Sequence, residues 1–327
     1  MADLRFHDWT LTLARHDHRM NVGYVIADQF EVTKEDGYYI DLATHVLHDK
    51  KSENPCLLYT MRCDYDNGYR ESNFLQFLSE CAGIPGWPKL ITSIRLGNGR
   101  FSGIITTYQG ERMRTIFHRT FAISYPNAVR LCYQLFALLD TMHSRGFVHR
   151  AIDVDSIRGR VTWDDEFIIG LNSFRYTTRK EPAPQCYGMR WAYSSIYVNE
   201  NQPFTPVDDF ISVLYVILTS QGLNMFQNNS GHAMRMKQAF HRNPHAFLTD
   251  RRLHWIADLY EMLVHQRENG FNRELISARL NSAVVGCVPS SPLEWSPVSP
   301  DSSDVKLNAN PVLVGPPRQE PIRVPHD

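Results

Sequence analysis

Two stretches of this 327-residue chain gather side chains able to do chemistry. The first is Met142-His-Ser-Arg-Gly-Phe-Val-His-Arg-Ala-Ile-Asp-Val-Asp-Ser-Ile157, where His149, Arg150, Asp153 and Ser156 share one short loop. A carboxylate there, Asp153, is either a solvated acid or a base that takes a proton from a bound hydroxyl. The second stretch begins at Phe174 and carries Arg175, Arg179 and Lys180. Guanidiniums of this kind suit a carboxylate or phosphate through bidentate contacts, and the competing reading is a solvated basic loop. His16-Asp-His18 adds two imidazoles, but without further ligands at set spacing they read as surface residues rather than a metal site.

Composition limits what can position these groups. With 43% hydrophobic and 12% aromatic residues the chain can bury one sizeable core or a two-lobed one. Lys and Arg number 34 against 35 Asp and Glu, so there is no overall basic footprint for nucleic acid or anionic lipid. Cys56, Cys63, Cys81, Cys132, Cys186 and Cys287 are scattered without a C-x-x-C pair, and the N-terminus lacks a signal-peptide pattern. They read as reduced thiols of an intracellular protein, cytoplasmic or nuclear. The longest apolar run, Phe210 to Leu218, is far short of the roughly 20 residues that span a bilayer.

Texture divides the chain. Residues 1–19 read as an N-terminal extension. From Met20 to about Gln109 short β-rich runs alternate with turns, among them Gly37-Tyr-Tyr-Ile, Cys56-Leu-Leu-Tyr-Thr-Met and Ser102-Gly-Ile-Ile-Thr-Thr. One helix interrupts them, from about Glu71, with Phe74, Leu75, Phe77 and Leu78 as its apolar stripe, ending before Gly83-Ile-Pro. Residues 110–284 read as mainly helical: Pro126 opens a helix whose wide apolar face includes Leu131, Leu135, Leu138 and Met142. Phe210 to Leu218, apolar nearly all round, reads as a central helix, and Ile256, Leu259, Tyr260 and Leu263 mark another. Residues 285–327, with Ser-Pro pairs at Ser291, Ser296 and Ser299 and Pro-x-x-Pro spacings at Pro289 and Pro297, read as a disordered tail.

The Met142–Ile157 stretch resembles the catalytic loop of protein kinases, with the same Gly-x-x-His-Arg spacing. Glu71 to Pro85 resembles the regulatory helix of the casein kinase 1 group and the Gly-Ile-Pro after it. Tyr187-Gly-Met-Arg-Trp-Ala-Tyr resembles the segment by which that group replaces A-P-E, with Arg190 matching its arginine. Asp208-Asp209-Phe-Ile-Ser-Val-Leu resembles the opening of its long buried helix, with Asp209 matching the acid that binds the catalytic-loop backbone. These matches fall in order over roughly residues 20 to 280. The resemblance implies an α+β, bilobal protein kinase fold: a β-rich N-lobe with one regulatory helix and a mainly helical C-lobe. It puts Thr106 at the gatekeeper position, Thr107 to Gln109 along the hinge, and Gly110 at the hinge's end.

The same resemblance shows what is missing. Phosphoryl transfer is mostly positioning and charge neutralisation. Where the family has its base, phosphate-binding lysine and metal-binding asparagine, this chain has Ala151, Asp153 and Ser156. The third-strand lysine falls on Leu58 or Tyr59, which leaves Glu71 without its partner. The metal-binding aspartate falls on Ile169 or Gly170, neither of which can hold Mg²⁺. The phosphate loop keeps at best Gly37, with Val32 and Lys34 at its earlier positions. The expectation is a pseudokinase, with ATP and Mg²⁺ binding weak or absent, that acts as a binding, scaffolding or regulatory module. Its partner would be a protein: an active kinase, or an acidic or phosphorylated peptide held by Arg150, Arg175, Arg179, Lys180 and Arg190. The alternative is an active serine/threonine kinase with displaced catalytic groups, Asp153 serving as base.

Overall fold

The computed structural model describes residues 7–8, 20–39, 42–62, 69–80, 84, 86–96, 101–120, 123–161, 166–172, 174–179, 192–223 and 230–294. The side chains of 7–8, 37–39, 42, 62, 69–74, 120, 175 and 230 lie outside that description. All of these residues belong to one compact unit, Met1–Trp295.

The chain is α+β. Its first part supplies β1 (His7–Asp8), β2 (Val25–Ile26), β3 (Phe30–Tyr39), β4 (Leu42–Asp49), β5 (Asn54–Arg62), α1 (Tyr69–Glu80), β6 (Leu90–Leu96) and β7 (Phe101–Thr107). The strands form one seven-stranded sheet in the order β1-β6-β7-β5-β4-β3-β2, antiparallel except where β1 joins β6. There follow β8 (Glu111–Arg112), α2 (Met113–Thr120), α3 (Tyr125–Ser144), β9 (Phe147–Val148), β10 (Ile157–Val161), β11 (Phe167–Leu171) and β12 (Thr178–Arg179). Helices α4 (Ile196–Asn199), α5 (Pro206–Ser220), α6 (Ser230–Arg242), α7 (Pro244–Phe247), α8 (His254–Asn269) and α9 (Arg273–Asn281) complete it. A β-rich part followed by a helical one is compatible with a bilobal fold.

The pleat of β5 decides which residues face which core. Successive side chains point to opposite faces of a strand. Cys56 and Leu58 therefore pack among Val32, Leu47, Ile94 and Ile105 on one face of the sheet, while Leu57, Tyr59 and Met61 join the core shared with the helices. Of the two residues left open above, Tyr59 is the one turned toward the helical part. Leu58 is sheet core.

The helical part is built on α3, α5 and α8. Ser124 caps α3 by accepting the Asn127 N–H, with Pro126 in the first turn as the sequence implies. Thr205 and Asp208 make a reciprocal capping box at α5. From Phe210 to Leu218 every side chain of α5 is buried, which is why that run carries no polar face. Ile256, Leu259, Tyr260 and Leu263 of α8 pack against it as read from their spacing.

Two boundaries read from composition move. The N-terminal extension is not separate from the sheet, because His7 and Asp8 pair with Ile94 and Arg95. The packed chain also continues past Val285: Leu293 is buried and bridges Phe167, and Asn127 clamps the Glu294 backbone through both its amide groups. Proline and serine density therefore misplaced the start of the tail, since one leucine and two backbone hydrogen bonds suffice to dock a short segment. Ser291 lies in the docked part; Ser296, Ser299, His16 and His18 lie outside the described residues.

Truncating the centre of α5 tests this core. Leu214→Ala removes a fully buried side chain from the core shared with α3 and α8 and is expected to cost about 3 kcal/mol, read as a lowered urea midpoint with unchanged slope.

Candidate functional site

The loop from His149 to Ser156 is fixed from beneath. Asp209, 1% exposed at the start of α5, accepts the backbone N–H groups of His149 and Arg150, each at 2.8 Å, and lies 3.0 Å from His143 Nε2. This holds Arg150 at φ +68°, a left-handed conformation a non-glycine residue adopts only when its surroundings impose it. His149 is fully buried, and burial pushes its imidazole below the ordinary value. Its Nε2 is 2.8 Å from the Asn172 carbonyl, and its Nδ1 accepts the Ala151 N–H at 3.3 Å. Ala151 brings no side-chain chemistry.

Asp153 is half-buried and its carboxylate is engaged within its own turn. Its Oδ1 accepts the N–H groups of Asp155 at 2.9 Å and Ser156 at 2.6 Å, while its own N–H donates to Ser156 Oγ at 2.8 Å. Burial, with Asp155 nearby, pushes its carboxyl up to about 6. Ser156 is fully buried, and its hydroxyl donates to the Asp153 carbonyl. The two residues thus close a turn on each other.

Above this loop the two parts of the chain meet through charged and polar side chains. Arg158 of β10, 2% exposed, donates to Asp36 of β3 and, at 3.1 Å, to the Gly110 carbonyl after β7. Arg112 of β8 donates to the same Asp36 oxygen at 3.1 Å and to Thr44 at 3.1 Å, and its Nη1 is 3.5 Å from Asp155. Asp155 is held bidentately by Arg114 at 2.7 to 2.9 Å. Burial opposes the charge on Asp36, but Arg158 and Arg112 outweigh it and hold its carboxyl below the usual carboxylate range. Beside this cluster the Tyr59 hydroxyl, whose ionisation burial pushes up, donates to Asn172 Oδ1. Asn172 N–H in turn donates to the Ser156 carbonyl at 2.7 Å.

Ile169 is core and Gly170 faces the segment after β7. A Cβ at Gly170 would sit 3.1 Å from the Gly86 carbonyl and 3.2 Å from Gln109 Oε1, tighter than ordinary van der Waals contact. Thr106 is fully buried on β7; Thr107 binds the Lys89 backbone through both its amide and its hydroxyl and receives a hydrogen bond from Gln109. Gly37 pairs with Thr44 in the β3–β4 ladder, beside a register irregularity. Sequence reasoning missed Asp36, Arg112, Arg158 and Asn172. One of three acids in β3 (Glu31, Glu35 and Asp36) and two arginines in Ile-Arg-Gly-Arg-Val were its only signals, and neither states a partner.

A ladder of rings joins α1 to the loop. Phe77 meets Trp87, Phe147 and Phe174 with centroids 5.1, 5.5 and 4.5 Å apart, and Phe174 meets His149 at 5.3 Å. The basic stretch is only partly described. Arg150 reaches Thr178 at 3.4 Å; Arg179 pairs with Glu80 of α1 at 2.7 Å and lies 4.5 Å from the Phe147 ring centroid. Arg179 is thus paired while its side chain stays 42% exposed. The side chains of Glu71 and Arg175, and the residues Lys180 and Arg190, lie outside the described residues.

No protein-family model matches this chain, and no curated protein gives a significant match. No helix among the described residues is long and apolar enough to cross a membrane.

The buried ion cluster sets a test of its own. The Asp36 carboxyl is held low when folded, so its contribution is fully present above its unfolded value near 3.9 and is lost as pH falls through the folded value. Asp36→Asn, which strands buried Arg158, is expected to cost roughly 3 kcal/mol at pH 7. The stability gap between variant and wild type should narrow on going from about pH 4 toward about pH 2. Denaturant titrations of both proteins across that range measure it.

Proposed function

We propose that this chain is a catalytically inactive, kinase-like protein of the casein kinase 1 type that works by binding, scaffolding or regulating a protein partner. The observation that carries this reading is the Arg158 guanidinium bridging Asp36 and the Gly110 carbonyl. By the resemblance, Asp36 adjoins the phosphate loop and Gly110 ends the hinge, so the space a nucleotide needs between them holds a buried arginine. Tyr59 in place of the lysine, Ile169 or Gly170 in place of the metal-binding aspartate and the self-contained Asp153–Ser156 turn agree with it. Asp36, Tyr59 and Asp153 are each engaged by other protein groups, which supports this reading.

A second reading, an active serine/threonine kinase with a displaced base, draws on Asp153. A carboxyl pushed up to about 6 is poised for proton transfer near neutrality. Against it, the Asp153 carboxylate is already engaged by two backbone N–H groups.

A thermal-shift titration of the full chain with ATP, with and without Mg²⁺ or Mn²⁺, separates the two. A ligand present at 100 times its Kd stabilises the folded state by about 2.7 kcal/mol and must raise Tm. The binding-module reading expects no metal-dependent shift at about 5 mM ATP. A clear metal-dependent rise, together with phosphoryl transfer that Asp153→Ala abolishes, would establish the second reading instead.

A further inference from the structure

The last packed segment of the chain lies between the start of α3 and β11, the edge strand of the three-stranded sheet. Leu293 is buried there and meets Phe167 in an antiparallel bridge. The Asn127 side chain, in the first turn of α3, grips the Glu294 main chain from both sides: it donates to the carbonyl at 2.5 Å and accepts the N–H at 3.1 Å. Arg130, one turn further and 8% exposed, donates to Asn127 Oδ1 at 3.2 Å and pairs with the Glu294 carboxylate at 3.0 Å. Its Nε has no hydrogen-bond partner among the described residues. A strand edge, an amide that holds main chain, a seat for leucine and a cation for the next residue are the parts that recognise an extended peptide.

The present occupant is held lightly. Of residues 285–294 only Pro289 and Leu293 are buried, Val285 and Val288 stay exposed, and the Glu294 side chain is 77% exposed. So small an anchor must offset the backbone freedom lost on docking, and a rim ion pair adds little. The groove also limits charge. Asp164, Asp165 and Glu166 precede Phe167 in the sequence, so a run of acids gains nothing there; the site suits one carboxylate, placed at Arg130.

We infer that the groove between α3 and β11 is a docking site for an extended segment of a partner protein in which a leucine precedes a single acid, and that residues 289–294 fill it in cis until such a segment displaces them. Docking here is independent of any nucleotide.

Fluorescence anisotropy of a labelled peptide with the sequence of residues 288–296, titrated with the full chain, tests this. A tethered segment competes at an effective concentration of about 1 mM. The peptide should therefore bind the wild-type chain saturably but roughly tenfold more weakly than chains whose own segment is weakened by Leu293→Ala or Glu294→Lys. The peptide carrying Leu293→Ala should lose binding to every chain, and Asn127→Ala within the Glu294→Lys chain should lose the unmodified peptide. Thermal melts check folding, and Glu294→Lys, at an exposed side chain, keeps the test valid if Leu293→Ala does not fold. A wild-type chain that takes up no peptide at about 1 mM has a permanent strap rather than an exchangeable one. That result, equal affinity for wild type and both variants, or binding indifferent to the peptide's leucine would each overturn the assignment. Sedimentation velocity of the wild-type chain separates a partner from a second copy: a monomer is expected, and a dimer that Leu293→Ala dissociates would overturn the partner assignment in favour of self-association.

Discussion

The arrangement of the site depends on one buried carboxylate. Asp209 lies at the N-terminus of α5, where the helix dipole favours negative charge. An ionised acid removed from water costs several kcal/mol unless donors fill its lone pairs. Two backbone N–H groups at 2.8 Å and the nearby His143 imidazole do so. That demand fixes the backbone at His149 and Arg150, including the left-handed turn at Arg150. From there the order propagates outward: His149 to the Asn172 carbonyl, Asn172 to the Ser156 carbonyl, and Tyr59 to the Asn172 side chain. A run of hydrogen bonds therefore leads from the central helix to the middle of the sheet.

The Asp36–Arg158–Arg112 cluster works differently. Burying two guanidiniums and an acid is rarely a net gain over well-packed apolar side chains. What it contributes is geometric selectivity. Arg158 finds its acid and its carbonyl acceptor only when β3, the segment after β7 and β10 are in one relative placement. An apolar contact would tolerate sliding of the sheet over the helices. The aromatic ladder through Phe77, Phe174 and His149 supplies the complementary, non-directional part of the same junction.

What the sequence made legible follows from the range of each interaction. Helix α5 could be read from its unbroken apolar run, α3 from Pro126 and its spacing, and α1 from Phe77 and Leu78, because those signals are local and periodic. The choice between Leu58 and Tyr59 was not readable, since both faces of β5 are buried and strand alternation carries no polar marker there. Asp36 and Arg158 stand 122 residues apart, and nothing local to either names the other. The docking of Leu293 was hidden for a related reason: a short apolar contact inside Pro- and Ser-rich surroundings does not alter composition enough to be seen.

The ion cluster also bears on how final the proposed loss of catalysis is. A ligand entering between Asp36 and Gly110 must first free Arg158 from both and leave Asp36 buried beside only Arg112. Breaking one partner out of a buried pair costs about 3–5 kcal/mol, so the open form would be populated at roughly one part in 10² to 10⁴. Apparent affinity falls by that same fraction. A lysine at Tyr59 or an aspartate at Gly170 would not open that space, because neither change releases Arg158, and the second meets the Gly86 carbonyl and Gln109 at once. Opening that space to a charged ligand would need the arginine removed first and new charged groups added afterwards. That order follows from electrostatics alone: charges added to an already filled, water-poor space add desolvation cost before they add any attraction.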